Sequence, residues 1–216
     1  MKRNTIRFTR SSKKKKKIAM QSPLSKHLEG RRLILASGSP RRRELLGELG
    51  LEFTLGKISD YDESYPATLK VSEIPAYIAE QKSKHYTQKL KKEDILITSD
   101  TIVTIDGEIL GKPKDKADAI KMLRELSGRT HHVYTGLCLR DINKTITLSD
   151  GCDVTFDILS DEDIEYYIDE FKPFDKAGAY GIQEWIGLAC IKEIKGSVYT
   201  VIGLPVQKLY KSLMEF

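Results

Sequence analysis

Apolar residues fall along the chain in short continuous runs that alternate with stretches of helical spacing, and turn residues mark most of the changeovers. The run RLILA at 32–36 predicts a buried strand that delivers the small-residue turn SGSP. A helix capped by Ser39, with Pro40 at its first position, should follow, ended by Gly50. Residues 53–58 predict a second short strand. The acidic, turn-like SDYDESYP at 59–66 precedes a helix expected over about 73–92, with Lys82 on its face. DILITSDTIVTIDGEIL predicts strand folded back at Asp106 and Gly107 in a tight hairpin. Asp115 should cap the helix AIKMLREL, closed at Gly128, and HHVYTGLCLRD and TITLSDGCDVTFDIL should be strands joined near Ile142 and Asn143. Ser160 with Asp163 resembles a capping box for DIEYYIDEF. Beyond the loop KPFDKAGAYGIQEW, the runs GLACIKEIKG and SVYTVIG read as two strands, and a last helix follows Pro205. Hairpins mixed with crossover helices predict an α/β protein whose sheet is mixed and flanked by helices.

Composition changes this picture at one end only. The 216 residues carry 36 Lys and Arg against 31 Asp and Glu, a formal charge of +5. Ten of the basic residues and one of the acids lie in residues 1–30, so that segment is +9 and the remainder −4. Basicity is therefore a property of the N-terminal extension, expected to be disordered, while 31–216 reads as one domain. The extension has no apolar core of the kind a secretory signal needs, and no run approaches a membrane span. It reads first as an upstream start or an appendage; a polybasic arm that touches nucleic acid or anionic lipid is the sharper alternative, with nucleic acid expected to bind only weakly through it. Cys138, Cys152 and Cys190 are odd in number and far apart, which argues against a disulfide framework or a zinc site and fits a reducing cytoplasm. Cys138 and Cys190 sit in apolar runs, as small buried hydrophobes rather than nucleophiles. The four histidines form no ligand-spaced pair.

Four polar clusters interrupt the apolar pattern. In LASGSPRRRELL, three arginines head a helix whose first turn is already positive through its dipole. A bound anion, held by the turn N–H groups of residues 37–40 and by Arg41, would resolve that conflict, although solvated arginines would also account for it. In SDTIV, Asp100 and Thr101 lie mid-strand, where an unpaired carboxylate would be costly, so a cation, a lysine or a positioned water must meet Asp100. Lys112 in GEILGKPKD is held in a turn with its ammonium free to reach forward. In DKAGAYGIQ, small residues let backbone approach a ligand, and Gln183 offers an amide suited to a base edge. No GxGxxG follows a strand and no GxxxxGKS occurs, so neither a dinucleotide fold nor a P-loop is supported.

Taken in order, LASGSPRR, SDTIV, GEILGKP, LSGRTHHVYTG, DKAGAYGIQ and GLP resemble the Maf family of nucleoside triphosphate pyrophosphatases, from about residue 31 to the C-terminus. The resemblance implies an elongated, twisted mixed β-sheet flanked by helices around a central nucleotide-binding cleft (Maf/ITPase-like), usually paired as a homodimer. It implies hydrolysis of a nucleotide between the α- and β-phosphates, with Mg²⁺ or Mn²⁺ as the divalent metal cofactor. Asp100 matches the catalytic carboxylate. Glu63 matches a carboxylate that helps hold the metal, with Asp100 as a second metal ligand. Those two roles of Asp100 compete, since a carboxylate that holds a cation is a weaker base. Ser37, Arg41, Lys82, Thr101, Lys112 and Gln183 are carried over as substrate-binding residues.

Arg41, Thr101 and Gln183 resemble the branch acting on dTTP and UTP rather than the branch acting on 7-methyl-GTP. Thr98-Ser99 and Glu184-Trp185 depart from the usual pattern, and Trp185 is expected to pack in the core rather than stack on a base. Two rival readings stand beside this one: preferential hydrolysis of modified pyrimidine triphosphates, and a nucleotide-binding regulator of cell division with little turnover. Two acids in a cleft otherwise built from cations argue against the pure binder.

Overall fold

The structure is a computed structural model and describes residues 22–216. Seven strands form one sheet in the order β2-β1-β3-β5-β6-β7, with β4 paired to β3. These are β1 (Arg32–Leu35), β2 (Phe53–Leu55), β3 (Asp94–Ile105), β4 (Glu108–Leu110), β5 (Thr130–Arg140), β6 (Thr145–Phe156) and β7 (Ile191–Lys195). β2, β1 and β3 run parallel, and every other pairing is antiparallel. The sheet is therefore mixed, as expected, with β3 as the seam. The helices are α1 (Pro23–His27), α2 (Pro40–Glu48), α3 (Ile74–Lys84), α4 (Lys116–Leu126), α5 (Asp161–Phe171), α6 (Trp185–Cys190), α7 (Val198–Ile202) and α8 (Val206–Leu213).

Along one edge β3 changes partner. β1 pairs with residues 94–97 and β4 with 103–105, so residues 98–102 have no strand beside them on that edge. The two faces of β3 differ accordingly, because side chains alternate along a strand. Ile95 and Ile97 join one apolar cluster with Leu45, Leu46, Leu209 and Leu213, while Val103 and Ile105 join another with Leu123, Phe156 and Ile168. Ser99 and Thr101 lie between them. On the opposite face, Leu96, Asp100 and Ile102 lie on the side covered by α3. Gly136 of β5, which pairs with Asp100, is what lets that helix in. A Cβ there would sit 2.1 Å from the Pro75 carbonyl carbon and oxygen.

Several local expectations need correction. The helix predicted over 73–92 ends at Lys84, because the chain then pairs with an earlier loop: Ser59 N–H donates to His85 O and Thr87 N–H to Lys57 O. The predicted strand at 53–58 pairs only to Leu55, with Ile58 making an isolated bridge to Tyr86. SVYTVIG is mostly helix α7, despite a β-branched run. Thr135 donates to the Thr200 carbonyl, Thr200 bonds Asp150, and Gly203 closes the turn at φ +116°, so tertiary contacts override strand propensity. GLAC is likewise the end of α6, and only Ile191–Lys195 of that run is strand, so Cys190 ends a helix. Part of the extension expected to be disordered over 1–30 is ordered: α1 lies within it, and Leu24 and Leu28 reach the core. The polybasic arm falls within 1–21, outside the described residues. The Asp106–Gly107 hairpin, the Asp115 cap and the Ser160/Asp163 capping box form as expected.

Candidate active site

The gap in the β3 edge opens into a cleft of ≈ 510 Å³, and all eight residues singled out by sequence line it: Ser37, Arg41, Glu63, Lys82, Asp100, Thr101, Lys112 and Gln183. One wall is the turn after β1 with the start of α2. The other is the 173–183 segment. The floor is the unpaired middle of β3.

Asp100 and Lys82 form the centre. Lys82 Nζ donates to Asp100 Oδ1 at 2.6 Å and lies 3.3 Å from Glu63 Oε1, so both carboxylates converge on one point. This answers the requirement that a mid-strand carboxylate be paired. The Lys82 and Asp100 side chains are 16% and 15% exposed, and Glu63, on its loop, is 53% exposed. Behind the pair, Tyr61 stacks on His85 with ring centroids 4.5 Å apart. Burial, with Glu63 and Asp100 nearby, raises the Tyr61 phenol above its usual range, so it stays neutral. Hard oxygen donors from two converging carboxylates suit Mg²⁺ or Mn²⁺, which takes its remaining ligands from water and phosphate oxygens. Glu63 and Asp100 would supply two such donors; among the described residues no group of three or more His, Cys, Asp or Glu gathers to hold an ion.

Arg42, which the sequence reading passed over in favour of Arg41, is the clasp of the site. Its Nη1 donates to Ser99 O at 2.8 Å, satisfying a carbonyl in the stretch of β3 left without a strand, and to Ser37 Oγ at 3.3 Å. Its Nε donates to Gly203 O at 2.8 Å and its Nη2 to Thr101 Oγ1 at 3.1 Å. Burial pushes the guanidinium pKa down; the Asp100 carboxylate opposes the shift and Arg41 reinforces it. Thr101 is engaged on both sides. Thr135 gives its one hydroxyl proton to Thr200 O, so Thr101 must donate to Thr135, 3.0 Å away, while accepting from Arg42. Thr101 thus forms part of the floor that orients Arg42.

The start of α2 is open to a ligand. Ser39 occupies the N-cap position, yet its side chain makes no capping bond; instead its N–H donates to Ser37 Oγ at 3.2 Å. The expected Ser39 cap does not form, and first-turn N–H groups remain available to an anion. Arg41 beside them is paired across the cleft with Asp175 at 2.9 Å. Lys112, exposed at the rim, follows Gly111, whose carbonyl accepts from Gly178 N–H at 3.0 Å and ties this turn to the glycine loop. Gln183, also exposed, makes no hydrogen bond with the described residues, so its amide is free. Trp185 is not among the residues lining the cleft; it packs against the core and edge-on against Tyr166, 4.9 Å between centroids, as expected.

Besides Arg42, sequence reading missed Asp175, Lys176 and Tyr180. The signal was present, since all three stand in or beside the DKAGAYGIQ motif. Lys176, 7% exposed, sits between Asp175 at 2.7 Å and Glu184 at 3.2 Å. Tyr180 forms cleft wall, with its hydroxyl 2.7 Å from Nε2 of the buried His131.

The dTTP/UTP pyrophosphatase of Bacteroides thetaiotaomicron is 49% identical over 187 residues, 87% of this chain and 97% of its own. That of Porphyromonas gingivalis is 47% identical over 192 residues, 88% and 96% of the two chains. A solved HAM1 protein from Coxiella burnetii aligns at 15% identity over 58% of this chain and 73% of its own, with a TM-score of 0.39, too low to bear on the fold. The Maf-like protein profile matches residues 32–216, which takes in every strand and the whole cleft, and the chain therefore belongs to the Maf family.

Proposed function

We propose that this protein hydrolyses dTTP and UTP to the monophosphate and pyrophosphate. The observation that carries the reading is the Asp100–Lys82 pair on the floor of a cleft with cations on both walls. Relatives that carry the name dTTP/UTP pyrophosphatase and share almost half their residues with this chain support the choice of substrate.

In the proposed reaction Asp100 takes a proton from the attacking water. Lys82 occupies Oδ1, leaving Oδ2 to face the water. The oxygen of that water bonds to the α-phosphorus, the α–β bridging P–O bond breaks, and the electron pair leaves with pyrophosphate. Uncapped N–H groups of α2, Arg41, Lys112 and Lys176 bind the phosphate oxygens, and Lys82 holds Asp100 in place. Gln183 reads the base: uracil and thymine offer a carbonyl oxygen and an N3–H, which one amide can pair at once. A divalent cation on Glu63 and Asp100 would neutralise phosphate charge at the reacting end.

A cytoplasmic setting and a homodimer belong to the same reading. Three free cysteines, all buried, fit a reducing compartment, and pairing rests on the family resemblance. Among the described residues no helix is long and apolar enough to cross a membrane. A triphosphate-binding regulator would have no use for a carboxylate at 2.6 Å from the central lysine. The deciding experiment is product analysis with dTTP, UTP and modified pyrimidine triphosphates in Mg²⁺. Monophosphate and pyrophosphate are expected, whereas a diphosphate with orthophosphate, or no turnover, would overturn the reading.

A further inference from the structure

Asp175 is an anomaly in a cleft meant for a polyanion. Its carboxylate reaches from the second wall across to the first, with Oδ2 2.9 Å from Arg41 Nη1 and Oδ1 2.7 Å from Lys176 Nζ. Burial alone would raise its pKa, but the bonds from Lys176 and Arg41 outweigh that and hold it below the usual carboxylate range, so it is ionised near neutrality. A fixed negative charge there repels triphosphate and occupies two of the cations that would receive it.

We propose that Asp175 is a displaceable internal anion that holds Arg41 and Lys176 until a polyphosphate takes its place, and so sets the charge a ligand must carry to enter. The inference rests on the phosphate-binding reading of this cleft. Three features make the displacement feasible. Asp175 is 57% exposed, so the released carboxylate moves into water rather than into the protein. Lys176 keeps a second partner, Glu184 Oε1 at 3.2 Å, which is itself anchored by the Tyr167 hydroxyl. Arg41 exchanges one carboxylate for a phosphate that its planar fork fits equally well. A ligand with about three to four charges, such as pyrophosphate or a nucleoside triphosphate, competes better for these cations than a monophosphate with about two. The same carboxylate therefore favours release of the monophosphate product.

The test is Asp175→Asn in the full chain, with KM and kcat for dTTP and inhibition constants for pyrophosphate and dTMP. The pair is partly exposed, so a roughly two- to tenfold gain in affinity is expected. KM for dTTP and Ki for pyrophosphate should fall by that factor, Ki for dTMP should fall at least as much, and all gains should shrink at high salt. In an Arg41→Ala background the effect of Asp175→Asn should be smaller, because one of the two cations it frees is already gone. Raised or unchanged KM and Ki in the single variant, with an intact thermal transition, would overturn the inference. Wild-type protein that binds pyrophosphate but does not hydrolyse dTTP would count against the proposed activity instead, and leave the Asp175 comparison readable through pyrophosphate binding.

Discussion

Replacing Gly136 by alanine adds one methyl group at the place where α3 meets the sheet. That Cβ would lie 2.1 Å from the Pro75 carbonyl carbon and oxygen and 2.3 Å from Ala76 N, all backbone atoms that no rotamer change can move aside. Reaching an ordinary contact of 3.4 Å requires the start of α3 to retreat by about 1.3 Å. The helix is not free to do so smoothly, since Thr98 Oγ1 donates to Ala79 O at 2.6 Å and Arg140 bonds the Ser83 carbonyl. Overpacking of this kind costs about 1–3 kcal/mol. For a chain of this length that corresponds to a fall in Tm of roughly 2–12 °C. Activity should suffer more than stability, because Lys82 rides on the same helix and its 2.6 Å bond to Asp100 has no slack. A displacement near 1 Å at a catalytic contact costs about 10²-fold in rate. Differential scanning calorimetry and kcat for dTTP measure the two effects separately. Wild-type melting with wild-type turnover would refute the reasoning, and a large loss of Tm with kcat preserved in the folded fraction would show that α3 does not carry Lys82 with it.

Asp100→Asn should keep fold and triphosphate binding while losing roughly 10²- to 10⁴-fold in kcat at saturating Mg²⁺, the range for removing a positioned base; retained turnover would remove Asp100 from that role. Gln183→Glu should depress kcat/KM for dTTP and UTP by roughly 5- to 150-fold more than for CTP and GTP, about 1–3 kcal/mol for an unpaired base carbonyl; a uniform drop would make Gln183 a brace for its loop. Chelating divalent cations should abolish turnover and adding Mg²⁺ or Mn²⁺ should restore it, and turnover undiminished in excess chelator would remove the metal role from Glu63 and Asp100. His131 is held neutral, its pKa pushed down to about 4 by burial and by His132. Its folded value lies below the unfolded one, so its contribution to stability is complete above about pH 6.5 and lost as pH falls toward 4, to a total of ~3 kcal/mol. His131→Gln should flatten that part of the pH–stability curve, and an unaltered slope in urea titrations would show that another group supplies it.

The parts of this molecule legible in the sequence are those where local chemistry and tertiary need agree. The Asp115 cap, the Asp106–Gly107 hairpin and the Ser160/Asp163 box are each complete within a few residues, and each forms. The failures are places where distant contacts decide. VYTVI has a strand's composition but forms a helix because Thr200, Thr135 and Gly203 are needed to close the cleft floor. The helical spacing runs on through 85–92, yet the loop at 57–59 takes up the backbone groups of residues 85–87 instead. In the site, the interrupted strand at Asp100 and Thr101 was readable because a polar pair inside a buried run demands a partner. Arg42 was not, because three consecutive arginines look alike until the fold shows which one points at an orphaned carbonyl. Asp175 and Lys176 escaped for a related reason: their charges cancel in sequence, and only the cleft shows that one faces Arg41.

Charge balance ties the parts together. Residues 31–216 carry a net −4, but the cleft is lined by five cations, Arg41, Arg42, Lys82, Lys112 and Lys176, against three anions, Glu63, Asp100 and Asp175. A local excess of two positive charges in an acidic body favours the approach of polyanions to this cleft. A triphosphate brings about four negative charges, so the loaded cleft would be left about two negative, which one divalent cation on Glu63 and Asp100 would cancel. Displacing Asp175 toward solvent relieves part of the same excess. Both routes point to the acids. In the proposed reading the Asp100 carboxylate, 15% exposed at the floor, is offset by Lys82, and the exposed Glu63 joins it when a substrate arrives with its counter-ion. Under the proposed reaction these acids are what separates a hydrolytic cleft from a storage one: binding alone calls for the five cations, whereas Asp100, on the stretch of β3 with no strand along one edge, and Glu63, on its loop, meet Lys82 at 2.6 and 3.3 Å.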